Sequence, residues 1–513
     1  MVKKAVISVS DKTGIVDFAR GLSVEGYQII STGGTFKVLK EADIPVSYVS
    51  EITGFPEILD GRVKTLHPKI HGGILAMDTD EHRRQCAETG IDLIDLVCVN
   101  LYPFRETIAK EQVTFEEAIE NIDIGGPTMV RSAAKNHSRV TIVVNPVNYE
   151  EILSSIREKG SVPLVLRKRL AAEAFAHTAE YDRLIAGYLE GQIDTEVYFP
   201  QNLRLFASKV QDLRYGENPQ QQAVLYADPE AEKGTLVYGK QLQGKELSYN
   251  NWMDMDAAWE IASEYQDTVC VIIKHTNPCG VALGSNALEA YTRALEADPI
   301  SAFGGIIAFN RVVDEETATA IREKFYEVVI APDFSPRAKE ILADKTNLRL
   351  FVVGREACCD TRGWKVRTVN GGFLIQEEDK GTTPIAEWKI VSDKKPNEDD
   401  LAELEFAWKA CKHVKSNAIV VSNKRQVIGV GAGQMNRVGS ARIALEQAGD
   451  RSKSAYLASD AFFPFPDSVE LAYSHGIKAI VQPGGSVRDK EVIEAANRLG
   501  IMLVFSGKRH FKH

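Results

Sequence analysis

In the first part of the chain, the spacing of hydrophobic positions switches back and forth between short continuous apolar runs and the helical period. Short apolar runs recur, and between them apolar residues repeat at the helical period, as Ile15, Phe18 and Leu22 do. Because strands that alternate with helices form a parallel sheet, this pattern predicts an α/β domain with its ligand site at the carboxyl ends of the strands. The predicted strands are 2–8, 27–31, 46–49, 93–99 and 140–144, and the predicted helices are 11–22 and 36–42.

After the fifth strand the pattern becomes helical, and a Phe-Pro-Gln-Asn segment at 199–202 then predicts a linker. We therefore predict a first domain over 1–199, with a core over about 1–146 and a helical extension over 147–199, and a second α/β domain over 200–513. The strands predicted in the second domain are 269–273, 305–309, 418–421, 427–430, 479–481 and 501–505.

Two segments of the second domain, 271–284 and 419–433, resemble each other. Each reads as a buried strand that is followed by a polar loop and a glycine-rich run. This likeness predicts two related subdomains, although two glycine-rich strand ends also resemble each other by chance.

The amino-acid composition and net charge limit the kinds of molecule that this protein is expected to bind. Hydrophobic residues make up 44% of the 513 positions, as in an ordinary globular protein, and the formal net charge of -10 argues against nucleic-acid binding. Seven cysteines are too few for a disulfide framework and predict free thiols in a reducing cytosol. The first ten residues lack the apolar core of a signal peptide, and the apolar runs are too short to span a bilayer. We therefore expect a cytoplasmic protein without a membrane segment.

Three polar segments mark candidate chemistry in the first domain. The segments 8–14 (Ser-Val-Ser-Asp-Lys-Thr-Gly) and 32–35 (Thr-Gly-Gly-Thr) combine hydroxyls and glycines at successive strand ends, which favours a phosphate site. Each segment alone is also common in capped helices and turns. The segment 122–128 offers backbone N–H groups to a developing oxyanion. Its simpler interpretation is a capped helix whose solvated basic face carries Arg131 and Lys135.

Two patterns suggest a metal, but neither is complete. His67 and His71 have the spacing of a zinc-binding helix, yet Pro68 and the glycines that follow argue against a helix there. The Pro-Cys pair that ends at Cys279 resembles part of a zinc-deaminase signature, but Ala282 stands where the second cysteine is required. We predict no metal.

Longer motifs of the first domain resemble a known family. The segments 8–14, 61–68 (Gly-Arg-Val-Lys-Thr-Leu-His-Pro), 100–104 (Asn-Leu-Tyr-Pro-Phe), 122–126 and 133–137 (Ala-Ala-Lys-Asn-His) are similar, in this order, to the IMP cyclohydrolase domain of the bifunctional purine-biosynthesis proteins. The resemblance implies a fold like that of methylglyoxal synthase. The nucleotide site that it implies is Ser10, Lys12, Thr32, Gly33, Gly34, Thr35, Arg62, Lys64 and Thr65, and the catalytic groups are Lys64, Tyr102, Asp123 and Lys135 with the backbone of Gly125 and Gly126.

Cyclisation needs the kinds of group that the resemblance implies. A carboxamide nitrogen attacks the formamide of the same molecule and water then leaves, so positioning supplies much of the acceleration. The formyl oxygen becomes an oxyanion that requires a cation or N–H donors, which we assign to Lys64 and the backbone at 125–126. Tyr102, Asp123 and Lys135 would move protons.

In the second domain, Lys274 and His275 follow a buried strand and place a cation beside a base, although a single histidine is more often packed or solvated. Their segment, 273–280, resembles the AICAR transformylase domain of the same family, which has two cytidine-deaminase-like subdomains. Further segments that carry this resemblance are 213–220, 301–305, 416–417, 431–434, 459–465 and 507–513.

The resemblance implies a second set of site residues. His275 would remove a proton from the amine of AICAR as it attacks the formyl carbon of 10-formyltetrahydrofolate. Lys274 would either stabilise the oxyanion or protonate the departing folate nitrogen. The aromatic run at 462–465 by itself predicts core. The implied nucleotide or pocket contacts are Arg214, Tyr215, Asn218, Phe303, Gly304, Arg367, Asn417, Arg437 and Arg509, and the implied folate contacts are Phe462, Pro464 and Asp467.

The resemblance therefore implies an enzyme that converts AICAR to FAICAR and then to IMP, working as a homodimer without a catalytic metal. One alternative is a chain in which only one of the two catalytic activities is functional. Another is a nucleotide-sensing regulatory module without catalysis, because methylglyoxal-synthase-like domains also have that role. Tyr102, Asp123 and Lys135 favour catalysis, since a sensor needs no proton-transfer groups.

Overall fold

The computed structural model describes residues 2–193, 199–229, 231, 234–354 and 363–513. The chain forms two compact units, Met1–Phe206 and Ala207–His513. The domain boundary near residue 200 and the assignment of one activity to each part stay predictions. Five of the cysteines are described and all five are free, whereas Cys358 and Cys359 lie outside the described residues. None of the described helices combines the length and the apolar composition needed to cross a membrane.

The first unit is built on a five-stranded sheet. In chain order its elements are β1 (Lys3–Ser8), α1 (Ile15–Val24), β2 (Tyr27–Ser31), α2 (Gly33–Glu41), β3 (Val46–Tyr48), α3 (Val49–Thr53), α4 (Pro68–Leu75), α5 (Asp80–Glu88), β4 (Leu96–Val99), α6 (Phe104–Ile108), α7 (Phe115–Glu120), α8 (Gly125–Lys135), β5 (Thr141–Val143), α9 (Tyr149–Lys159) and α10 (Leu164–Ile193).

The sheet is parallel throughout, with the order β3-β2-β1-β4-β5. The chain runs outward from β1 to β3 and then returns to place β4 beside β1. In an open parallel sheet such a reversal leaves a crevice at the carboxyl ends of the two strands, where ligands bind. The α/β fold predicted from the sequence is confirmed, and its switch point lies between β1 and β4.

Packing of the helices follows the apolar periodicity. Ile15, Phe18 and Leu22 of α1 are buried, and the ring of Phe18 stacks on that of Tyr149 with 4.2 Å between centroids. Burial of each such side chain contributes about 1.5–3 kcal/mol relative to exposure. The predicted helical extension is α9 and α10, and α10 packs on α8 and β5.

One sequence expectation about local structure is wrong. Pro68 and the following glycines do not prevent a helix, because α4 begins at Pro68 itself. Proline is favourable at the first helical position, where its missing N–H would have no partner in any case. His67 caps this helix, since its Nδ1 accepts a hydrogen bond of 3.1 Å from the backbone N–H of Lys69. His71 instead lies 3.3 Å from the hydroxyl of Ser132.

The described residues of the second unit form one large mixed sheet and two separate two-stranded ribbons. Its elements are β6 (Ser208–Leu213), β7 (Ala223–Ala227), β8 (Lys240–Gln243), α11 (Tyr249–Ala262), β9 (Val269–Lys274), β10 (Asn277–Leu283), α12 (Ala287–Ala297), β11 (Ile306–Phe309), α13 (Glu315–Arg322), β12 (Val328–Ala331), α14 (Pro336–Leu342), β13 (Arg349–Val352), β14 (Trp364–Val369), β15 (Gly372–Glu377), β16 (Lys389–Ile390), α15 (Glu398–Lys412), β17 (Ile419–Asn423), β18 (Gln426–Gly431), α16 (Arg437–Ala448), β19 (Tyr456–Ser459), α17 (Asp467–Ser474), β20 (Ala479–Gln482), α18 (Asp489–Leu499) and β21 (Met502–Phe505).

The large sheet has twelve strands in the order β16-β21-β20-β19-β17-β18-β10-β9-β11-β12-β13-β8. Its two halves repeat the same series of elements. Each half begins with an edge strand and a long helix, continues with a hairpin, and ends with three strands that alternate with helices. The halves meet where Ala282 of β10 pairs with Gln426 of β18. The two related subdomains predicted from the sequence are therefore present.

The two halves of the sheet also share the same close contact between a strand glycine and a helix. A Cβ added to Gly280 of β10 would lie 2.1 Å from the carbonyl oxygen of Ala294, and one added to Gly429 of β18 would lie 2.0 Å from that of Ala444. Only glycine permits this approach of strand and helix. Alternate residues of each strand face opposite sides of the sheet, so Val271 packs in a core with α11 and α15, while Ile272 packs in a core with α12, α13 and α14.

Candidate active sites

A cavity of about 510 Å³ opens at the carboxyl ends of β1, β2 and β4, at the switch point of the five-stranded sheet. The loop after β1, the first turn of α2, the segment before α4, the loop after β4 and the first turn of α8 form its walls. Nearly all residues that the sequence predicted for the first site line this cavity, which brings together five separate segments. These residues are Ser10, Lys12, Thr32, Gly33, Gly34, Thr35, Arg62, Lys64, Thr65, Tyr102, Asp123, Gly125 and Gly126.

The loop after β1 is held by a residue that the sequence analysis did not single out. The side-chain oxygen of buried Asn100 accepts hydrogen bonds from the backbone N–H groups of Ser10, at 2.5 Å, and Asp11, at 3.0 Å. Its amide nitrogen donates to the carbonyl oxygen of Asp11 at 3.0 Å. Asn100 follows β4, so it joins the two strand ends on either side of the switch point. An asparagine directly after a buried strand was the available signal.

Hydroxyl groups connect the ends of β1 and β2. Ser8 and Thr32 lie 3.0 Å apart, oxygen to oxygen. The buried hydroxyl of Thr35 accepts from the N–H of Val9 at 3.0 Å and donates to the carbonyl of Val9 at 2.9 Å. The hydroxyl of Thr35 therefore hydrogen-bonds to the backbone and shapes the cavity wall.

Two lysines place positive charge over the glycine turn at the start of α2. A Cβ added to Gly33 would lie 3.9 Å from Nζ of Lys64, and one added to Gly34 would lie 3.7 Å from Nζ of Lys12. Lys64 also lies 3.6 Å from the carboxylate of Glu57. Lysine ammonium groups beside glycine backbone at a helix N-terminus form an environment suited to a phosphate.

The rim of the cavity holds a third cation. Arg62 forms an ion pair with Glu120, and its hydrogen bond to that carboxylate lowers the pKa of Glu120 below its ordinary value. Both side chains are exposed, so the pair contributes little to stability.

Asp123 is the partly buried acid of the cavity. Burial raises its pKa above the ordinary value, against the opposing effects of the N–H groups of Gly126 and Tyr102 and of the charge on Lys64. The carboxylate accepts a hydrogen bond of 2.8 Å from the N–H of Gly126. A carboxyl group with a raised pKa is suited to proton transfer near neutral pH. Tyr102 also lines the cavity, with 42% of its surface exposed.

Both glycines at the start of α8 are required by close approaches. A Cβ on Gly126 would lie 2.3 Å from a carboxylate oxygen of Asp123, and one on Gly125 would lie 2.7 Å from the hydroxyl of Thr65. The Gly126 N–H, which we assigned to an oxyanion, donates to Asp123 in this structure. Lys135 lies exposed at the opposite end of α8, roughly 15 Å along the helix from Gly125 at 1.5 Å per residue, and its catalytic role stays a prediction.

The predicted pair Lys274 and His275 lies at the tip of the β9–β10 hairpin. The sequence predicted a polar loop here, whereas the structure has a turn of only two residues, His275 and Thr276, with φ angles of 51° and 61°. Nζ of Lys274 donates to the carbonyl oxygens of Phe303 and Gly304, each at 3.1 Å. These bonds bring together three of the predicted residues of the second site, and the fourth, His275, follows Lys274 directly in the chain.

That hairpin also contacts the loop before β17. The N–H of Lys415 donates to the side-chain oxygen of Asn277 at 3.1 Å. Two residues further on, the side-chain oxygen of Asn417 accepts from Arg437 at 2.6 Å. Arg437 is buried in an ion pair with Asp460. Arg437 thus holds Asn417, and its own predicted contact with the nucleotide or pocket stays a prediction.

The remaining predicted residues lie on other parts of the second unit. Arg214 stacks on Tyr215 after β6, with Asn218 in the following turn, and Arg367 lies on the β14–β15 ribbon. Within the described ranges, no hydrogen bond or ion pair joins this group to Lys274. The last four predicted residues lie further along the chain. Phe462 and Pro464 precede α17, Asp467 is its first residue, and Arg509 follows β21.

The aromatic run before α17 divides between core and surface. Phe463 is fully buried, as the simpler interpretation expected, and its N–H donates to Gln482 at 2.6 Å. Phe462 is half-buried, and Phe465 is exposed with the guanidinium of Arg488 4.7 Å from its ring centroid. Among the described residues, no group of three or more His, Cys, Asp or Glu side chains is arranged to hold a metal ion.

The fold and the polar sites define a two-unit α/β enzyme for small anionic molecules. A family model described as "AICARFT/IMPCHase bienzyme" matches residues 133–447, and one described as "MGS-like domain" matches residues 14–128. The bifunctional purine biosynthesis protein PurH of Desulfitobacterium hafniense (strain DSM 10664 / DCB-2) is 63% identical over 519 residues, with 100% of both chains covered. PurH of Bacillus cereus (strain B4264) is 54% identical over 514 residues, again with 100% of both covered.

The chain therefore belongs to the AICARFT/IMPCHase bienzyme family of bifunctional purine biosynthesis proteins. It is an enzyme with formyltransferase and cyclohydrolase activities, and the alternative of a regulatory module without catalysis is not favoured. A solved structure entitled "Crystal structure of ForH" matches 36% of this chain and 98% of its own at 37% identity, with a TM-score of 0.34.

Proposed function

We propose that the cavity of the first unit closes the ring of FAICAR to give IMP, and that the Lys274–His275 hairpin of the second unit transfers the formyl group to AICAR. The observation that carries the first assignment is the meeting of Lys12, Lys64 and Asp123 in one cavity. The phosphate of a nucleotide needs cations and the reacting atoms need a proton-transfer group, and this one cavity offers both.

In the cyclohydrolase site, the glycine turn of α2 and Lys12 hold the phosphate, and Ser10 and Arg62 flank it. Lys64 stabilises the oxyanion that forms when the carboxamide nitrogen attacks the formyl carbon. Asp123 and Tyr102 transfer the protons that accompany loss of water. The N–H of Gly126 fixes the orientation of the Asp123 carboxylate at 2.8 Å. Lys135 keeps its assignment to catalysis from the family resemblance alone.

In the transformylase site, the formyl donor is 10-formyltetrahydrofolate as co-substrate. His275 takes the proton of the AICAR amine as the nitrogen bonds to the formyl carbon. Lys274, held by the carbonyls of Phe303 and Gly304, is aimed at the oxygen of the formyl group or at the departing folate nitrogen. Asn417, oriented by Arg437, contacts the nucleotide. The further contacts that we propose are Arg214, Tyr215, Asn218, Arg367 and Arg509 for the nucleotide, and Phe462, Pro464 and Asp467 for the folate.

We further propose that the chain acts as a cytoplasmic homodimer. The β14–β15 ribbon is separate from the large sheet, and Phe373 and Leu374 on it are 57% and 60% exposed. A two-stranded ribbon is marginally stable in water, and exposed apolar side chains on it favour a protein contact. Arg367 lies opposite Leu374 on this ribbon, so a second copy would cover the ribbon and bring further groups to the transformylase site.

Two substitutions in the full-length chain test the division of labour. Lys64→Ala should reduce ring closure of FAICAR by about 10²–10³-fold, the usual cost of removing one group that stabilises an oxyanion, and leave formyl transfer unchanged. His275→Ala should do the reverse, with a loss of about 10²–10⁴-fold. Loss of both activities in either variant at unchanged thermal stability would contradict two independent sites.

A further inference from the structure

The β9–β10 turn, residues 275–276, depends on a carboxylate from a different element. Asp254 lies on α11, and its Oδ1 accepts a hydrogen bond of 2.7 Å from the N–H of Thr276. The N–H of His275 also faces this carboxylate. We propose that Asp254 is a positioning residue for formyl transfer, which holds the turn so that Lys274 and His275 stand in their reactive places. This inference rests on the proposed role of Lys274 and His275.

The turn needs such support because its two residues are unsuited to it. Both have positive φ angles, a conformation usual for Asn-Gly in two-residue hairpins. Thr276 is β-branched, and a β-branched residue at positive φ is an outlier that persists only where surrounding contacts hold it. The carboxylate of Asp254 supplies that contact through its hydrogen bond from the N–H of Thr276.

The second half of the unit repeats the arrangement at a turn without predicted catalytic residues. Lys424 and Arg425 connect β17 and β18, with φ angles of 52° and 55°. The N–H of Arg425 donates to Oε2 of Glu403 on α15 at 2.7 Å. The interval from Glu403 to Arg425 equals the interval from Asp254 to Thr276. The fold thus uses a helix carboxylate to hold a left-handed hairpin turn twice, and only the first turn carries a lysine–histidine pair.

Lys274 is constrained from two directions. Its ammonium group is fixed by the carbonyls of Phe303 and Gly304, while its backbone continues directly into the turn that Asp254 holds. Without the carboxylate, the turn relaxes toward negative φ and the backbone of His275 moves. A displacement of about 1 Å at a reacting group costs about 10²-fold in rate.

The experiment compares the two carboxylates in the full-length enzyme. Asp254→Ala should lower kcat for formyl transfer by about 10²-fold, while KM for AICAR changes by less than about threefold. Asp254→Asn should lose about tenfold, because a neutral amide oxygen accepts hydrogen bonds more weakly than a carboxylate. Cyclohydrolase activity should be unchanged in both. Glu403→Ala is the matched control, with a similar fall in melting temperature but kcat for formyl transfer within about threefold of the parent.

A second substitution separates positioning from general destabilisation. Thr276→Gly in the Asp254→Ala background should restore most of the lost kcat, because glycine adopts positive φ without strain. Normal kcat in Asp254→Ala, an equal loss in Glu403→Ala, or no recovery with Thr276→Gly overturns the proposal. Should Asp254→Ala fail to fold, normal kcat in Asp254→Asn overturns it. If His275→Ala itself transfers formyl groups normally, the proposed function fails instead.

Discussion

The backbone N–H of Asp123 donates a hydrogen bond of 2.8 Å to the phenol oxygen of Tyr181. Tyr181 in turn donates to the carbonyl oxygen of Asn121 at 3.2 Å, and it is buried on the long helix α10. The helical extension of the first unit is therefore attached to the loop that carries the proposed catalytic acid. Any change that loosens this contact lets Asp123 move relative to Lys64, which lines the same cavity.

Tyr181→Phe removes both hydrogen bonds of the hydroxyl, and loss of the one that holds Asp123, of about 0.5–1.5 kcal/mol, should lower kcat for ring closure by about two- to tenfold. Formyl transfer should not change. Tyr188→Phe is the matched control, because Tyr188 lies on the same helix and packs against Phe104. Both activities of the two variants are measured with purified protein. An unchanged rate of ring closure in Tyr181→Phe would show that α10 does not hold the acid.

Asp123→Asn should stabilise the fold at neutral pH while it removes ring closure. Burial raises the pKa of Asp123 above its unfolded value near 3.8, so the folded state holds the proton more tightly than the unfolded chain does. Below that unfolded value both states are protonated and the variant gains nothing. As the pH rises through the raised folded pKa, the parent loses stability that the neutral amide keeps.

Urea unfolding of Asp123→Asn and its parent between about pH 4 and pH 8 checks this sign, because the stability difference should grow with pH. The rate of ring closure should fall by about 10²–10⁴-fold, the usual contribution of a general acid or base. A stability difference that shrinks as the pH rises would mean that the carboxylate is stabilised, rather than destabilised, by its surroundings.

The parts of the fold that depend on local periodicity could be predicted from the sequence. The spacing of Ile15, Phe18 and Leu22 predicted the buried face of α1, and polar residues after β1 and β2 predicted the position of the cavity, because parallel strands end at the same edge. Long-range hydrogen bonds could not be predicted in this way. Nothing beside Tyr181 in the sequence indicates that its phenol lies under Asp123.

Local backbone conformation was hardest to predict where the residue types disfavour the conformation that the structure has. His275 and Thr276 give no hairpin signal, since two-residue turns favour Asn-Gly, and the structure obtains the turn from the distant carboxylate of Asp254. Pro68 argues against a helix when it is considered from the sequence, yet α4 begins at Pro68. Lys135 shares a helix with the cavity glycines but lies at its other end, and its catalytic role stays a prediction of the family resemblance.

Phe373→Glu on the β14–β15 ribbon should break the proposed homodimer, because a charge replaces an exposed apolar side chain at the contact. Light scattering should report a shift from dimer to monomer mass. Formyl transfer should fall with the dimer, while ring closure persists, since its proposed groups lie in one cavity. Val487→Glu is the control at a fully exposed position outside the ribbon. A monomeric parent protein would contradict the proposal directly.

Gly126→Ala should reduce ring closure without affecting formyl transfer. Its new methyl group would lie 2.3 Å from the carboxylate of Asp123, which must then rotate away from the N–H that orients it. Overpacking of this kind costs about 1–3 kcal/mol, so the melting temperature should fall as well.

Gly187→Ala on α10 is the matched control, because nothing lies within 4 Å of its added Cβ. That variant should keep both activities and melt no lower than the parent, since alanine is favoured over glycine inside a helix. Normal ring closure in Gly126→Ala would show that the carboxylate of Asp123 need not be held in place for the reaction.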